Sequence, residues 1–292
     1  MILSMTGYGA AEGESRGLKI SVELKSVNNR YLDIAVRMPR SFLFAEEGVK
    51  AAIQSRASRG KVDVFINVDS SGAEDLAVAV NAALAKGYAA ALRSVAELCG
   101  AKEDFGASVI ARFPDVLTVE KPETDGEGFA ADLGRILSEA LDAFDAMRQR
   151  EGAALRADIE DRLCASEDMA ARIGLRSPET VKEYRERLYA RMAEVLGTAG
   201  IEEQRILQEA AVYADRVAVD EELVRLGSHV EQARQLLKEG SPVGRKLDFL
   251  IQEFNREANT CGSKCADSDI ARIVVDLKAE IEKIREQVQN IE

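Results

Sequence analysis

Short apolar runs separated by turn residues occupy the first quarter of the chain. Four runs rich in Val, Ile, Leu, Phe and Tyr, with partly alternating polar positions, cover residues 2–9, 17–27, 30–38 and 61–69. Such runs predict strands. Asn28 and Asn29 separate the second run from the third, and Asn tolerates the positive φ of a tight turn. The pattern therefore predicts an antiparallel sheet whose second and third strands form a hairpin.

Helical spacing of apolar residues dominates the rest of the chain. Two early helices are predicted over residues 43–58 and 78–99, and a stretch rich in turn residues follows around residues 112–115. Farther along, beyond residue 130, few helix breakers occur before Pro178. We therefore expect the back half of the chain to be helical.

Two segments near the C-terminus carry apolar residues at alternating gaps of three and four. The first seam comprises Leu223, Leu226, Val230, Ala233 and Leu237, and the second comprises Ile270, Val274, Leu277, Ile281, Ile284, Val288 and Ile291. This spacing is typical of helices that pair lengthwise. An intramolecular helical hairpin and an intermolecular coiled coil both satisfy it, and we favour the hairpin.

These patterns together predict the α+β class. We expect an N-terminal antiparallel sheet with helices, followed by a long-helix C-terminal region that ends in a helical hairpin. The corresponding division is an α/β domain over residues 1–130, a long helical connecting region over 131–200 and a helical domain over 201–292.

Charge is distributed unevenly along the chain, whose net charge is −12. Residues 1–62 hold ten Lys or Arg and six Asp or Glu, which gives +4 and leaves −16 for the remainder. A basic segment on an acidic body can form a positive groove for phosphates, and acidic helices can supply metal ligands. A merely solvated surface explains the same charges equally well.

The remaining composition indicates a cytoplasmic protein. The N-terminus lacks the basic segment and long apolar core of a signal peptide, and no run of apolar residues is long enough for a membrane span. Four cysteines, Cys99, Cys164, Cys261 and Cys265, fit reduced thiols better than a disulfide framework. Cys261 and Cys265 do not suffice for a structural zinc site, which needs about four Cys or His ligands.

Residues 245–259 form the first segment with functional chemistry. An apolar stripe on this predicted helix is formed by Leu247, Leu250, Ile251, Phe254 and Ala258. The other face carries several polar residues, among them Glu253 and Glu257, which lie four apart and project to the same side. Two such carboxylates can share a divalent cation or act as an acid/base pair, although a solvated face has the same composition.

A second candidate lies upstream, where Glu222, Arg225 and His229 share one helix face opposite Leu223. His229 is the only histidine, and its imidazole can transfer a proton near neutral pH. Arg225 can hold a phosphate through two hydrogen bonds. A lone histidine on a helix is also compatible with an ordinary surface or packing role.

Long polar motifs at both ends of the chain resemble the YicC/YloC family. The N-terminal motifs are Ser4-Met-Thr-Gly-Tyr-Gly9, Lys25-Ser-Val-Asn-Asn-Arg-Tyr-Leu-Asp33, Arg37-Met-Pro39 and Arg59-Gly-Lys-Val62. The C-terminal motifs are Glu221-Glu-Leu-Val-Arg-Leu-Gly-Ser-His229, Gly244-Arg-Lys-Leu-Asp-Phe-Leu-Ile-Gln-Glu-Phe-Asn-Arg-Glu-Ala-Asn-Thr260, Gly262-Ser-Lys264 and Glu280-Ile-Glu-Lys-Ile-Arg-Glu-Gln-Val-Gln-Asn-Ile-Glu292. Ala218 and Lys25 depart from the Asp and the Arg that are frequent at these positions in the family.

The resemblance implies an endoribonuclease that needs a divalent cation, manganese or magnesium, and that forms a homo-oligomeric ring, with a hexamer among the expected states. The expected reaction is phosphodiester cleavage in single-stranded RNA during RNA turnover. Residue type and motif position select as catalytic residues Glu222, Arg225, His229, Glu253, Arg256 and Glu257. Glu253 and Glu257 are also the expected metal ligands. Expected RNA contacts are Arg30, Arg37, Arg59, Lys61, Arg245, Lys246 and Lys264.

Two other classes of protein satisfy the same residues. One is an RNA-binding adaptor that performs no chemistry, and the other is a structural coiled-coil oligomer. The adaptor would bind RNA without cleaving it, whereas the structural protein would not bind RNA.

Overall fold

A computed structural model describes residues 1–15, 17–69, 77–120, 126–197 and 202–292. The strands are β1 (Gly7–Ser15), β2 (Leu18–Val27), β3 (Leu32–Arg37), β4 (Gly60–Asp69), β5 (Ala77–Val80) and β6 (Leu117–Glu120). The helices are α1 (Glu46–Gln54), α2 (Ala82–Cys99), α3 (Ala107–Ile110), α4 (Gly126–Leu196), α5 (Glu203–Val217), α6 (Asp220–Glu239), α7 (Gly244–Lys264) and α8 (Ser268–Val288). A 3-10 turn, Arg40–Ala45, precedes α1. The α+β class is confirmed.

The four-stranded sheet has the order β1-β2-β4-β3. Strand β2 runs antiparallel to both of its neighbours, whereas β3 lies parallel to β4. The predicted hairpin at Asn28 and Asn29 is therefore wrong, and the sheet is mixed. Helix α1 connects β3 to β4, and a helical crossover of this kind joins parallel strands. The tight connection lies instead between β1 and β2, where Gly17 has a φ of +81°.

The first strand begins later than the sequence predicts. Residues 2–6 lie against the end of the chain, where Ser4 bridges Ile291 and the backbone N–H of Met5 donates to the carbonyl of Asn290 at 2.7 Å. Ile2 and Met5 are buried there. Their apolar pattern reflects burial against the C-terminal helices rather than a strand of the sheet.

A small second sheet was not predicted. Strands β5 and β6 pair antiparallel, and α2 and α3 lie between them in the sequence. The helix expected over residues 78–99 accordingly starts at Ala82, where the Asn81 side chain accepts a hydrogen bond from the Leu84 N–H at 3.2 Å. Asn81 therefore caps the helix and separates it from the strand.

Helix α4 extends for 71 residues and continues through Pro178. Its first part packs on the sheet, and the buried core between them includes Val22, Leu24, Val64, Phe129, Leu133, Ile136, Ala140 and Phe144. Gly9 permits this close packing, since a Cβ at this position would lie 2.2 Å from the carbonyl oxygen of Ala140. The domain boundaries expected near residues 130 and 200 remain predictions. Helix α4 already begins at Gly126, before the first of these boundaries.

The later part of α4 packs with α6, α7 and α8 around a second core. Both apolar seams contribute to this core: Leu226, Val230, Ala233 and Leu237 are buried on α6, and the Ile, Val and Leu positions of the second seam are buried on α8 and at Ile291. The chain therefore buries its seams internally, as the hairpin interpretation predicted. None of the helices in the described ranges combines the length and apolarity that crossing a membrane requires.

Arg148 lies where the two cores meet on α4 and is 1% exposed. Its guanidinium pairs with the Glu292 carboxylate and donates to the carbonyls of Ser4, at 2.8 Å, and Arg56, at 3.2 Å. Ser58 donates to the same carboxylate from its hydroxyl at 2.6 Å. The ion pair therefore joins α4, the segment before β4 and both ends of the described chain.

We expect Glu292→Gln to lower the free energy of unfolding by about 3 kcal/mol, because the buried Arg148 would keep only Asp145, 3.4 Å away, as an anionic partner. Urea denaturation measures this change. Glu282→Gln is the matched control, since Glu282 pairs with Arg285 on the surface of α8 and its side chain is 54% exposed. If the two variants lose equal stability, Arg148 does not depend on this ion pair.

Candidate active site

Helices α6 and α7 form the candidate site as an antiparallel pair. A short connection through Gly240, whose φ is +91°, reverses the chain between them. The start of α6 therefore lies beside the end of α7. Three acidic residues, Asp220, Glu221 and Glu222, occupy the first turn of α6, where carboxylates interact favourably with the helix dipole.

Glu222 is the buried centre of an ion network that crosses the two helices. Its Oε1 atom accepts hydrogen bonds from Arg225 at 3.0 Å and from Lys264 at 2.9 Å. Arg225 also donates from Nε to Glu257 at 3.0 Å and from Nη1 to Glu221 at 3.2 Å. Glu222 is 3% exposed and Glu257 5% exposed. The network thus fixes two cationic groups beside two buried carboxylates.

Opposing effects act on the ionisation of Glu222. Burial favours the neutral acid, but hydrogen bonds from Lys264 and the backbone, together with the charge of Arg225, hold the pKa of the Glu222 carboxyl below its ordinary value. The hydrogen bond to Glu257 in turn raises the pKa of Arg225. Both groups are therefore ionised at neutral pH.

His229, Glu253 and Glu257 meet one helical turn farther along the pair. One potential ligand atom from each lies within 4.8 Å of the others. His229 Nδ1 is buried and has no hydrogen-bond partner among the described residues, and its ring lies 6.5 Å from that of Phe254. An unpartnered imidazole nitrogen beside two carboxylates fits a divalent cation, because a bound cation would satisfy a buried polar atom that otherwise costs free energy.

The structure thus brings together most of the catalytic residues predicted from the sequence. Glu222, Arg225 and Glu257 are connected by hydrogen bonds, and His229 and Glu253 lie beside Glu257. Arg256 is more peripheral: its side chain is 75% exposed and lies 3.7 Å from Glu253. Lys264, for which a phosphate contact remains a prediction, pairs with Glu222 and is one-third exposed.

The other predicted RNA contacts separate into two groups. Arg59 donates to the carbonyl of Arg30 at 3.4 Å and lies close to the start of α7, where a Cβ on Gly244 would be 3.1 Å from its Nη1. Burial, followed by repulsion from Arg245, lowers the pKa of Arg59, while Asp248 opposes the shift. The N-terminal motif around Arg59 therefore lies beside the start of α7.

The remaining two predicted contacts lie on β3 and β4. Lys61 pairs in register with Asp33, and Arg37 pairs with Phe65, four positions farther along β3 and β4. The Arg37 guanidinium stacks 5.0 Å from the Phe65 ring. The structure therefore does not place Arg37 beside Arg59.

Phe249 is a candidate functional residue that the sequence reasoning did not select. It lies on α7 one turn before Glu253, and it is 65% exposed. The sequence feature that could have identified Phe249 is its place outside the apolar stripe of this helix, where an aromatic side chain is expected to be exposed. Cys261, by contrast, is buried, and its burial raises the pKa of its thiol to about 12, which favours the neutral form and disfavours metal binding.

We expect Glu222→Gln to lower the free energy of unfolding by about 2 kcal/mol at pH 7, because two charge-assisted hydrogen bonds lose their anion. Because the folded-state pKa lies below the unfolded value of about 4.3, this contribution is present above that pH and is lost as the pH falls through the folded-state pKa. The difference between the wild-type chain and the variant should therefore shrink in urea denaturation at pH 3.5 to 4.

The neighbouring variant Glu221→Gln provides the control. Glu221 contacts the same Arg225, but its side chain is 83% exposed, so its loss should cost less than about 1 kcal/mol at either pH. A Glu222→Gln effect that is the same at both pH values would contradict the assignment of the shift to Glu222.

Known proteins are similar to this chain over its full length. The family model for the N-terminal region of YicC-like endoribonucleases matches residues 2–157, and the model for the C-terminal part matches residues 173–292. "Probable endoribonuclease YicC" from Clostridioides difficile (strain 630) is 38% identical over 293 residues, with both chains covered completely. The protein of the same name from Haemophilus influenzae is 34% identical, again over both full chains. The chain therefore belongs to the YicC-like endoribonuclease family.

Proposed function

We propose that the chain is an endoribonuclease that cleaves phosphodiester bonds in single-stranded RNA with the help of a divalent cation, as part of RNA turnover in the cytoplasm. The names of its relatives support RNA cleavage. The observation that carries the cation is the convergence of His229, Glu253 and Glu257 across α6 and α7.

These three residues would hold the cation. Carboxylates suit magnesium and manganese, and the imidazole favours manganese over magnesium because it is a nitrogen donor. A cation held there would supply positive charge to the scissile phosphate and would lower the pKa of a bound water molecule. Glu257 connects this position to the ion network, since it also accepts a hydrogen bond from Arg225.

Arg225 is the phosphate-binding group that we assign to the chemistry. Its side chain is 45% exposed, although it forms ion pairs with the buried carboxylates of Glu222 and Glu257. A guanidinium that is oriented in advance can donate hydrogen bonds to phosphate oxygens as negative charge develops on them. Glu222 acts through Arg225 and Lys264, so it is a positioning residue.

His229 offers two ring nitrogens for different tasks. One nitrogen can bind the cation, which leaves the other as a hydrogen-bond donor to the RNA. Without a cation, the imidazole could instead accept or donate a proton in the reaction. Its ring lies 6.5 Å from the ring of Phe254, at an interplanar angle of 25°.

The basic residues around Arg59 would guide the RNA strand towards this position. Arg30 and Arg59 come from the N-terminal motifs, and Arg245 and Lys246 lie in the first turn of α7. Phosphate contacts by such residues supply most of the sequence-independent affinity for nucleic acids. An adaptor without chemistry would use the same residues, so cleavage itself has to be tested.

We expect Glu253→Gln to reduce RNA cleavage by about 10²-fold, because loss of a carboxylate ligand weakens electrostatic stabilisation worth about 3 kcal/mol. Calorimetric titration with manganese should show weaker binding. Glu253 is a cleaner target than Glu257, which also holds Arg225. The readout is cleavage of a labelled single-stranded RNA with manganese and with chelator.

Glu231→Gln is the matched control, since Glu231 lies on the exposed side of α6. It should cleave RNA and bind manganese as the wild-type chain does. Wild-type cleavage by Glu253→Gln would place the cation elsewhere. A wild-type chain that binds RNA but leaves it intact with every added cation would identify the adaptor instead.

A homo-oligomer, with a hexameric ring among the expected states, is the second part of the proposal. No residue of helix α2 is buried within the described chain. Its apolar side chains are therefore exposed, among them Val95 at 56% and Leu98 at 86%. Exposed apolar groups on one helix favour contact with another copy.

Light scattering should therefore give a mass that is a multiple of 31.8 kDa. Val95→Asp with Leu98→Asp should reduce it, because charge would be buried at the contact. Lys86→Asp, elsewhere on α2, serves as the control. A wild-type particle of 31.8 kDa at micromolar concentration would contradict the proposal.

A further inference from the structure

We propose that the groove between the end of α6 and the start of α7 is a stacking subsite for one unpaired RNA base, with Phe249 as its platform. This inference rests on the proposed function, because it takes RNA as the ligand. It adds a base-binding site and a reason for preferring single strands.

The groove has a volume of about 500 Å³. Gln232 and Leu236 line it from α6, and Phe249 and Leu250 line it from α7. Phe249 precedes Glu253 by four residues, so the two side chains lie on one face of α7, separated by a rise of about 6 Å. The groove and the metal position are therefore neighbours along the same helix pair.

Phe249 has the exposure that a stacking platform requires. It is 65% exposed, whereas Phe254, on the stripe of the same helix, is fully buried. Exposed aromatic residues beside basic ones are typical of single-strand binding surfaces, since every base presents a flat face that can stack. A base in a duplex already stacks on its neighbours, so this groove would select unpaired RNA.

Charge around the groove favours a polyanion. Arg245 and Lys246 line it, and Arg59 lies beside the same end of α7. Glu239 is an acidic residue in the lining and lies 4.0 Å from Lys246, which neutralises it at one edge. The strand's phosphates can therefore follow the basic edge while one base enters the groove.

Amide groups inside the groove provide contacts to the edge of a base. Gln232 and Gln235 are both exposed on α6 within the lining. A glutamine amide carries both donors and an acceptor, so it can bind more than one kind of base. The subsite would then require a base without demanding a particular sequence.

Phe249→Trp tests this inference directly, because the sequence contains no other tryptophan. The full chain is titrated with a ten-nucleotide single-stranded RNA in the presence of chelator, while fluorescence and RNA anisotropy are recorded together. Stacking should quench the tryptophan. Moving a single abasic position along the RNA should abolish the quench at one position and leave it at the others.

Phe249→Ala should weaken RNA affinity by roughly tenfold, in keeping with base–aromatic stacking. The abasic RNA identified above should bind the wild-type chain and Phe249→Ala equally. Tyr189→Trp is the matched control, since Tyr189 is 50% exposed on α4, and it should show no position-dependent quench. A duplex of the same sequence should quench Phe249→Trp less than the single strand does.

Two results would overturn the inference while leaving the proposed function intact. One is RNA binding and cleavage by the wild-type chain without any quench in Phe249→Trp. The other is a changed mass of Phe249→Ala in light scattering with unchanged RNA affinity, which would make the groove a contact between copies. A wild-type chain that neither binds nor cleaves RNA would instead remove the proposed function, and this inference with it.

Discussion

The burial of Arg148 against Glu292 is the constraint on which the arrangement of the two halves depends. A guanidinium inside a core is stable only when its charge is paired and its donors are satisfied. Here the partners are the carbonyls of Ser4 and Arg56 and the carboxylates of Asp145 and Glu292. Their positions fix how the sheet and the C-terminal helices meet on α4. Because α8 leads directly to Glu292, the same pairing anchors the helix that covers α7.

The candidate site uses buried charge in a different way. Glu222 is ionised because Lys264 and Arg225 offset the cost of its burial, whereas the Arg225 side chain remains 45% exposed. The network thus holds a partly exposed guanidinium against two buried carboxylates. Such an arrangement supplies orientation before substrate binds, which is the main source of electrostatic stabilisation in enzymes. His229, whose buried Nδ1 is unpartnered within the described part of the chain, lies beside Glu257 of this network.

The net charge of −12 does not prevent RNA binding, because the relevant charge is local. Folding brings Arg30 and Arg59 beside Arg245, although the sequence separates them by about two hundred positions. The acidic residues near them are partly neutralised, as when Lys246 pairs with Glu239. Basic side chains and the carboxylates of the candidate site therefore lie along the same helix pair.

The sequence by itself determined the α+β class, the two apolar seams and the identity of most residues in the candidate site, because helical periodicity and long polar motifs are local properties. Glu253 and Glu257 lie on one face of a helix whatever surrounds it. Tertiary structure alone decided that β3 joins β4 in parallel, that residues 2–6 pack against the end of the chain and that Lys264 pairs with Glu222. These outcomes depend on contacts between segments that are distant in the sequence. A local pattern of apolar and polar residues shows which face of an element is buried, but it does not specify which other segment packs against that face.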